Sequence, residues 1–262
     1  MRKVLLLLFI AAALAPMVLM VSGSLTANVF QMPPRLIPRE LTLDHYRQFT
    51  GIGLWAMNTG IAILIGVTLS MAITCAAGYV FAFHTFPFKR VLWLLLLAGI
   101  TVPRLALMIP KFSVLSKLGL IDTRAGFILS QLLLPQSVYL ARTFFETIPP
   151  AIRDAAKIDG LGELSTLMRI VVPLSKPIIA CVMVFASTQI VGDYLWQAVV
   201  LGSPEKYTLV VGLMRSIARG PQSGGNMGQE LASGVLMMIP ILLVFFVASK
   251  YFVGGMTGAV KE

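Results

Sequence analysis

The sequence has 262 residues, of which 57% are hydrophobic and only 12% are charged, and its mean hydropathy is +0.87. Globular domains carry about 45–50% apolar and about 25% charged residues, so a soluble chain of this length is excluded and the excess is expected to face lipid. The net charge of +10 comes from basic residues scattered between apolar runs, which disfavours nucleic-acid binding and favours charged flanks on membrane segments.

Six stretches are long and apolar enough to cross a bilayer as helices, because a hydrocarbon core about 30 Å thick requires about 20 mostly apolar residues. In chain order these predicted spans are Val4–Val21, Leu54–Phe83, Val91–Ile109, Ala125–Phe145, Leu174–Val200 and Leu231–Val253. The sequence therefore predicts an all-α integral membrane protein with six transmembrane helices. They form a single domain over residues 1–262, with its core over residues 54–253.

The first stretch has two interpretations. Arg2 and Lys3 before a leucine run, with small residues at Ser22–Ser24, also describe a secretory signal peptide. The run continues to Val21, whereas a signal core is usually about 7–15 apolar residues, and no convincing Ala-x-Ala site ends it. A retained helix is therefore favoured.

Basic residues predict the orientation of the spans. The positive-inside rule places Arg2 and Lys3 in the cytoplasm. Alternation then places Lys89, Arg90 and the loop between the fourth and fifth spans on the same side. The opposite loops also contain Lys and Arg, at lower density. We therefore expect both termini in the cytoplasm.

The loop over residues 147–173 contains signals for short helices. Pro150 near a helix start and Gly160 just past a helix end follow the positional preferences of these residues. They predict a helix of about ten residues, followed by a second over Gly162–Val171. Pro173 is expected to begin the fifth membrane helix, where its missing N–H costs little. A helix this short is marginal alone in water and needs tertiary contacts.

The residues of this loop carry a specific resemblance. Asp154-Ala155-Ala156, Asp159-Gly160, Ile170 and Pro173 resemble the Glu-Ala-Ala loop of binding-protein-dependent ABC permeases, with Asp154 in place of the usual Glu. In that family the loop is a coupling helix that inserts into a groove of the ATPase subunit. The resemblance implies that the residues coupling this chain to an ATPase are Arg153, Asp154, Ala155, Ala156, Lys157, Asp159, Gly160 and Pro173.

Further segments resemble the carbohydrate branch of these permeases, the maltose and glycerol-phosphate type. They are Asn58-Thr59, Ala77-Gly78-Tyr79, Leu118–Thr123, Gly192–Leu195 and Tyr207–Leu209. The resemblance implies a permease of the bacterial inner membrane that imports a sugar or sugar-derived solute. The partners it implies are a second permease subunit, two ATPase subunits and an extracytoplasmic solute-binding protein. The chain has no Walker A motif, so ATP and Mg are expected on the ATPase subunits, and no cofactor or metal on this chain.

Polar residues inside the predicted spans are candidates for a translocation path. Asp193 would be costly in lipid, by at least about 2.5–3.5 kcal/mol, and such residues usually mark a path, a pair or a wet cavity. Alternatively, the helix ends near Asp193, at the external interface. Asn58, Gln131, Gln136 and Gln189 could contact a sugar, but the glutamines are more simply explained by hydrogen bonds between helices.

Two other functions remain open on the sequence. The loop motif is shared by ABC permeases for other solutes, such as polyamines or phosphate. A membrane-embedded enzyme would need clustered catalytic groups within the spans, and the sequence offers only Asp193 and scattered amides there.

Overall fold

The computed structural model of the chain describes residues 2–27, 40–219 and 227–258. These residues are almost all helical, and their only β-structure is an isolated bridge between Thr26 and Leu41. The all-α prediction is therefore confirmed. Most residues of the six predicted spans are helical, but the third, fourth and fifth predicted spans are interrupted.

Thirteen α-helices can be distinguished within the described ranges. They are α1 (Arg2–Ser24), α2 (Asp44–Arg47), α3 (Ile52–Phe83), α4 (Lys89–Thr101), α5 (Met108–Lys117), α6 (Arg124–Leu129), α7 (Pro135–Phe145), α8 (Pro150–Ile158), α9 (Glu163–Leu174, with a π-helical turn over Leu167–Val171), α10 (Lys176–Gly192), α11 (Tyr194–Val200), α12 (Leu209–Arg219) and α13 (Met227–Gly258). A 3₁₀ turn over Pro204–Lys206 lies between α11 and α12.

Three helices are long and apolar enough to cross a membrane alone. Their apolar parts are Lys3–Ser24 in α1, Ile52–Phe83 in α3 and Met227–Tyr251 in α13. The pair α9 and α10 passes the same test together but bends by 89° at Ser175. Length and composition thus identify three spans, or four with the bent pair, in the described residues, whereas the sequence predicted six.

Prolines and a carboxylate interrupt the third, fourth and fifth predicted spans. α4 ends at Thr101, and Val102 is extended because the residue before a proline is disfavoured in the helical region. Residues 130–134 separate α6 from α7, which begins at Pro135. Asp193 separates α10 from α11. Each break lies inside an apolar run, where hydropathy alone does not reveal it.

The prediction that Pro173 begins the fifth membrane helix is wrong. Pro173 lies near the end of α9, directly after the π-helical turn. The chain bends at Ser175, and α10 begins with Pro177 in its first turn. The first turn of a helix tolerates proline because its N–H groups have no partner within the helix.

Of the three apolar clusters among the described residues, two pack along most of α3, one on its middle and one on its end. The first packs α3 against α6, α10, α11 and the segment before α12, with Phe127, Ile190 and Trp196 buried in it. The second joins the end of α3 to α7, α9 and α10, with Tyr79, Phe145 and Val171 buried. We call the side of the second cluster the α8 end, because Ile152 of α8 packs on it.

Small residues bring α3 and α7 into close contact. A Cβ atom added at Gly78 would lie 2.8 Å from the Cβ atom of Ala141, closer than real Cβ atoms approach one another. α1 contrasts with this packing: it runs along α13, but its first turns leave large apolar side chains exposed, including Phe9 at 74%. Exposed apolar surface of this kind is expected to face lipid or another chain.

Candidate functional site

The predicted loop helix is present as α8. Pro150 occupies its first turn. It ends near Gly160, whose φ of +77° favours glycine. The N–H group of Leu161 donates to the carbonyl of Ala156 at 2.9 Å, and that of Gly160 to the carbonyl of Lys157 at 3.1 Å. These bonds satisfy the last carbonyl groups and end the helix as a left-handed glycine commonly does.

The adjacent alanines Ala155 and Ala156 of α8 face opposite environments. Ala156 is buried, with 2% of its surface exposed, whereas Ala155 is exposed. Asp154, Lys157 and Asp159 are exposed as well. α8 is therefore seated by its Ala156 side on the second apolar cluster and offers its Ala155 side outward.

An apolar patch lies beside this outward side. Ile158 is 86% exposed at the end of α8, and Leu164 and Met168 of α9 are also exposed. Single exposed apolar residues need no explanation, but three such residues on two consecutive helices form a candidate contact surface. The sequence prediction included α8 but not Leu164 and Met168. Pro173, the last predicted coupling residue, is exposed on α9, beyond the π-helical turn.

Side chains at the α8 end connect α8 and α9 to the end of α3. The Tyr79 hydroxyl donates to Glu163 Oε2 at 2.5 Å, and His84 Nε2 lies 3.3 Å from the same oxygen. We call Glu163, Tyr79 and His84 the Glu163 cluster. Arg153 of α8 lies beside it, with its guanidinium carbon 3.9 Å from the ring centroid of Phe83. The sequence did not predict these contacts.

Three of the five candidate path residues meet in one hydrogen-bonded network. Gln189 Nε2 donates to Gln131 Oε1 at 2.9 Å, and Gln131 Nε2 donates to Asp193 Oδ2 at 3.3 Å. The network joins the break between α6 and α7 to the break between α10 and α11. Gln131 and Gln189 thus bond to each other across the bundle, and α10 ends just before Asp193.

Further side chains surround this network. Trp196 Nε1 donates to Ser130 Oγ at 2.8 Å, and Lys111 Nζ lies 4.1 Å from the centroid of the Trp196 ring. Trp196 is 3% exposed, so it belongs to the interior of the first cluster rather than to an interfacial belt. Sequence reasoning missed Ser130 and Lys111 as neighbours of the candidate path.

Asn58 lies apart from the network. Its Nδ2 donates to the carbonyls of Glu205 and Tyr207, each at 2.9 Å. The hydroxyl of the next residue, Thr59, accepts from the Leu209 N–H at 2.8 Å. Asn58 therefore holds the segment before α12 against the beginning of α3, at the end opposite α8.

A carboxylate fixes the same segment from the other side. Asp122 Oδ1 accepts from the N–H groups of Gly202 and Ser203 at 2.8 and 3.0 Å. Asp122 Oδ2 accepts from Lys206 Nζ at 2.9 Å and from the Ser203 hydroxyl. The Asp122 N–H group in turn donates to the carbonyl of Val200 at 2.8 Å. We call Asp122, Gly202, Ser203 and Lys206 the Asp122 hub.

The Asp122 hub favours the charged carboxylate. Partial burial acts to raise the pKa of Asp122, but hydrogen bonds from Ser203, Lys206 and Gly202 outweigh it and hold that pKa well below its usual range. Asp122 also has a φ of +53°, in the left-handed region that Asp tolerates better than most residues. Among the described residues, no group of three or more His, Cys, Asp or Glu side chains could hold a metal ion.

Comparison with known proteins relates this arrangement to a family. The sequence pattern of the binding-protein-dependent transport system inner membrane component matches residues 71–258. The chain belongs to this family. That range includes both ends of the bundle described above, from α3 through α8 to α13. Membership makes the permease a membrane transport component and implies a partner permease, an ATPase and a solute-binding protein.

Relatives of the permease match it over most of both chains. The arabinooligosaccharides transport system permease protein AraQ of Halalkalibacterium halodurans is 32% identical, over 86% of this chain and 81% of the relative. The maltodextrin transport system permease protein MdxG of Bacillus subtilis is 31% identical, over 82% and 79%. The sn-glycerol-3-phosphate transport system permease protein UgpE of Pectobacterium atrosepticum is 26% identical, over 89% and 86%.

A solved structure supports the same fold. A chain of a bacterial ABC transporter involved in the import of the acidic polysaccharide alginate matches the permease with a TM-score of 0.80 and 26% sequence identity. The match covers 96% of the permease and 95% of that chain. The interrupted helices therefore lie within an arrangement that a transporter subunit also adopts.

Proposed function

We propose that the permease forms half of the translocation path of an ABC importer for an oligosaccharide or another sugar-derived solute. The observation that carries the proposal is the short helix α8, seated by Ala156 and offering Ala155 and Ile158 outward. The named relatives transport saccharides or glycerol phosphate, which favours a sugar over a polyamine or inorganic phosphate. A second permease subunit supplies the other half of the path.

In this proposal α8 is the coupling helix. Its outward side and the apolar patch of Ile158, Leu164 and Met168 enter a groove of an ATPase subunit, one of two that bind ATP and Mg. The exposed charges of Asp154, Lys157 and other residues nearby form a polar rim of the kind found around docked surfaces. ATP binding then moves α8, and the helices attached to it change the accessible side of the path.

Substitutions on the two sides of α8 test this assignment. Ala155→Asp places a charge on the docking side, so the ATPase subunits should no longer copurify with the permease. The uptake rate should fall below about a tenth of the wild-type rate. That loss corresponds to more than about 1.4 kcal/mol. Ala155→Ser keeps a small side chain at the same position and should retain both properties. Normal uptake by a membrane-inserted Ala155→Asp variant would refute the coupling assignment.

The proposed topology has six spans, α1, α3, α4, the pair α6 and α7, α10, and α13, with both termini and α8 in the cytoplasm. The interrupted third, fourth and fifth spans are included because irregular backbone at membrane depth is tolerated where protein surrounds it. A cysteine replacing the exposed Lys157 should react with an impermeant thiol reagent only from the cytoplasmic side. Labelling from outside would show that the true topology is the reverse of the one proposed.

We assign the network of Gln131, Gln189 and Asp193 to the wall of the path. Amides and a carboxylate beside a buried indole can exchange hydrogen bonds with hydroxyl-rich solutes, as polar groups in binding sites do. Gln131→Leu should raise the KM for uptake while basal ATPase activity stays normal, with Gln48→Leu, at an exposed glutamine outside the proposed spans, as the matched control. An unchanged KM would show that the network does not line the path. Binding of candidate sugars to the cognate solute-binding protein would identify the solute.

A further inference from the structure

The Glu163 cluster joins two parts of the permease that have different roles in the proposed function. Glu163 begins α9, five residues after α8 ends, whereas Tyr79 and His84 belong to the last turn of α3 and the residue after it. Tyr79 is 4% exposed, so its position is fixed by the second apolar cluster. The carboxylate of Glu163 is about half exposed and depends on Tyr79 and His84 for its contacts.

The same cluster lies beside α8. Arg153 packs on the ring of Phe83, and Phe83 meets the Tyr79 ring edge-on with centroids 5.1 Å apart. The positive charges of Arg153 and Lys157 also act on the Glu163 carboxylate. A displacement of α8 therefore reaches the end of α3 by two routes, through the Arg153–Phe83 contact and through Glu163.

α3 carries the connection to the opposite end without a break. It is helical from Ile52 to Phe83, whereas the third, fourth and fifth predicted spans are interrupted. Near its beginning, Asn58 and Thr59 hold the segment leading into α12. An uninterrupted helix transmits a displacement more directly than helices with breaks, because rigid elements carry coupling between distant sites.

We propose that Glu163 is a positioning residue that transmits movement of the coupling helix to α3 through Tyr79 and His84. The inference rests on the proposed function of α8 and deepens it. Glu163 does not bind the ATPase subunit in this proposal. It holds α9 and the end of α3 in a constant relative position, so that ATP-driven movement of α8 reaches the segment held by Asn58.

The decisive measurement is the amount of solute transported for each ATP hydrolysed, using the complete transporter in proteoliposomes with its solute-binding protein. Glu163→Gln and Tyr79→Phe should each lower this ratio by about threefold to tenfold, the size expected for residues that transmit coupling. The ATPase subunits should still copurify with both variants. Glu146→Gln, at an exposed carboxylate that pairs with Arg142 on its own helix, should keep the wild-type ratio.

The double variant Tyr79→Phe/Glu163→Gln distinguishes one contact from two independent effects. If the two side chains act through their hydrogen bond, the double variant should be no worse than the more affected single variant. Additive losses would overturn the proposal, as would a wild-type ratio in Glu163→Gln. Loss of the ATPase subunits from Glu163→Gln would also overturn it, because Glu163 would then belong to the docking surface.

These outcomes separate the two proposals. If α8 is not the coupling helix, Ala155→Asp keeps its ATPase subunits and its uptake. If α8 is the coupling helix but Glu163 does not transmit its movement, Ala155→Asp loses both whereas Glu163→Gln keeps the wild-type ratio.

Discussion

The two ends of α3 are held in different ways. At the Asp122 hub, one carboxylate accepts from two backbone N–H groups, a hydroxyl and an ammonium group, and so fixes the path of the chain itself. In the Glu163 cluster, side chains contact side chains, and no backbone group of α9 is bound by Tyr79 or His84 among the contacts described. The first arrangement fixes the backbone of a loop, whereas the second links two helices through side chains alone.

Because the Asp122 hub fixes the backbone, substitution of Asp122 should cause a large loss of stability. Asp122→Ala removes the acceptor of four hydrogen bonds and places alanine at a positive φ, so the free energy of unfolding should fall by about 2–3 kcal/mol. Thermal unfolding of the purified transporter would measure the loss. Asp44→Ala is the control, because the Asp44 carboxylate is 71% exposed in its pair with Arg47 and should contribute less than about 0.5 kcal/mol. Equal effects of the two variants would contradict the rigid role of the hub.

The stability contributed by the Asp122 hub should also depend on pH, and this effect should be smaller than that of Asp122→Ala. The folded protein holds the pKa of Asp122 below its usual value of about 4, so the hub contributes stability above that pH and loses it as the pH falls through the folded pKa. Asp122→Asn lacks this group. The difference in Tm between wild type and Asp122→Asn should therefore shrink as the pH is lowered below about 4. A difference that stays constant with pH would show that the charge is not what stabilises the hub.

The smallest change in stability is expected at the Glu163 cluster. Glu163→Gln replaces the charged acceptor of Tyr79 and His84 by a neutral amide, but the site is half exposed, so the free energy of unfolding should change by less than about 1 kcal/mol. The same thermal measurement tests this. A loss as large as that of Asp122→Ala would mean that the two ends are equally rigid, and the contrast between them would disappear.

The sequence could predict the parts of the fold that local pattern determines. α1, α3 and α13 are long apolar runs, and α8 lies between Pro150 and Gly160, two residues with strong positional preferences. The break near Pro103 was missed, and a helix end near Asp193 was only one of two interpretations, because the apolar run continues on both sides of each. Hydropathy measures burial in lipid or protein, and it does not separate a helix from irregular backbone enclosed by other helices.

The candidate site was predictable only in part, for a related reason. Gln131, Gln189 and Asp193 were recognisable one by one as polar residues in apolar surroundings, but their mutual hydrogen bonds join residues about 60 positions apart. Tyr79 and Glu163 are 84 positions apart. Contacts at this separation depend on how the helices pack, which a single sequence does not encode in any local pattern.

Because α3 is continuous, it sets a fixed distance between two polar side chains that anchor its ends, Asn58 and Tyr79. From Asn58 to Tyr79 there are 21 residues, so at about 1.5 Å per residue the two polar anchors lie about 32 Å apart along the helix axis. That distance is close to the hydrocarbon depth of an ordinary bilayer, about 30 Å. A bilayer much thicker or thinner than this would draw one anchor into the lipid or leave apolar turns in water, so lipid chain length should select where the permease works best.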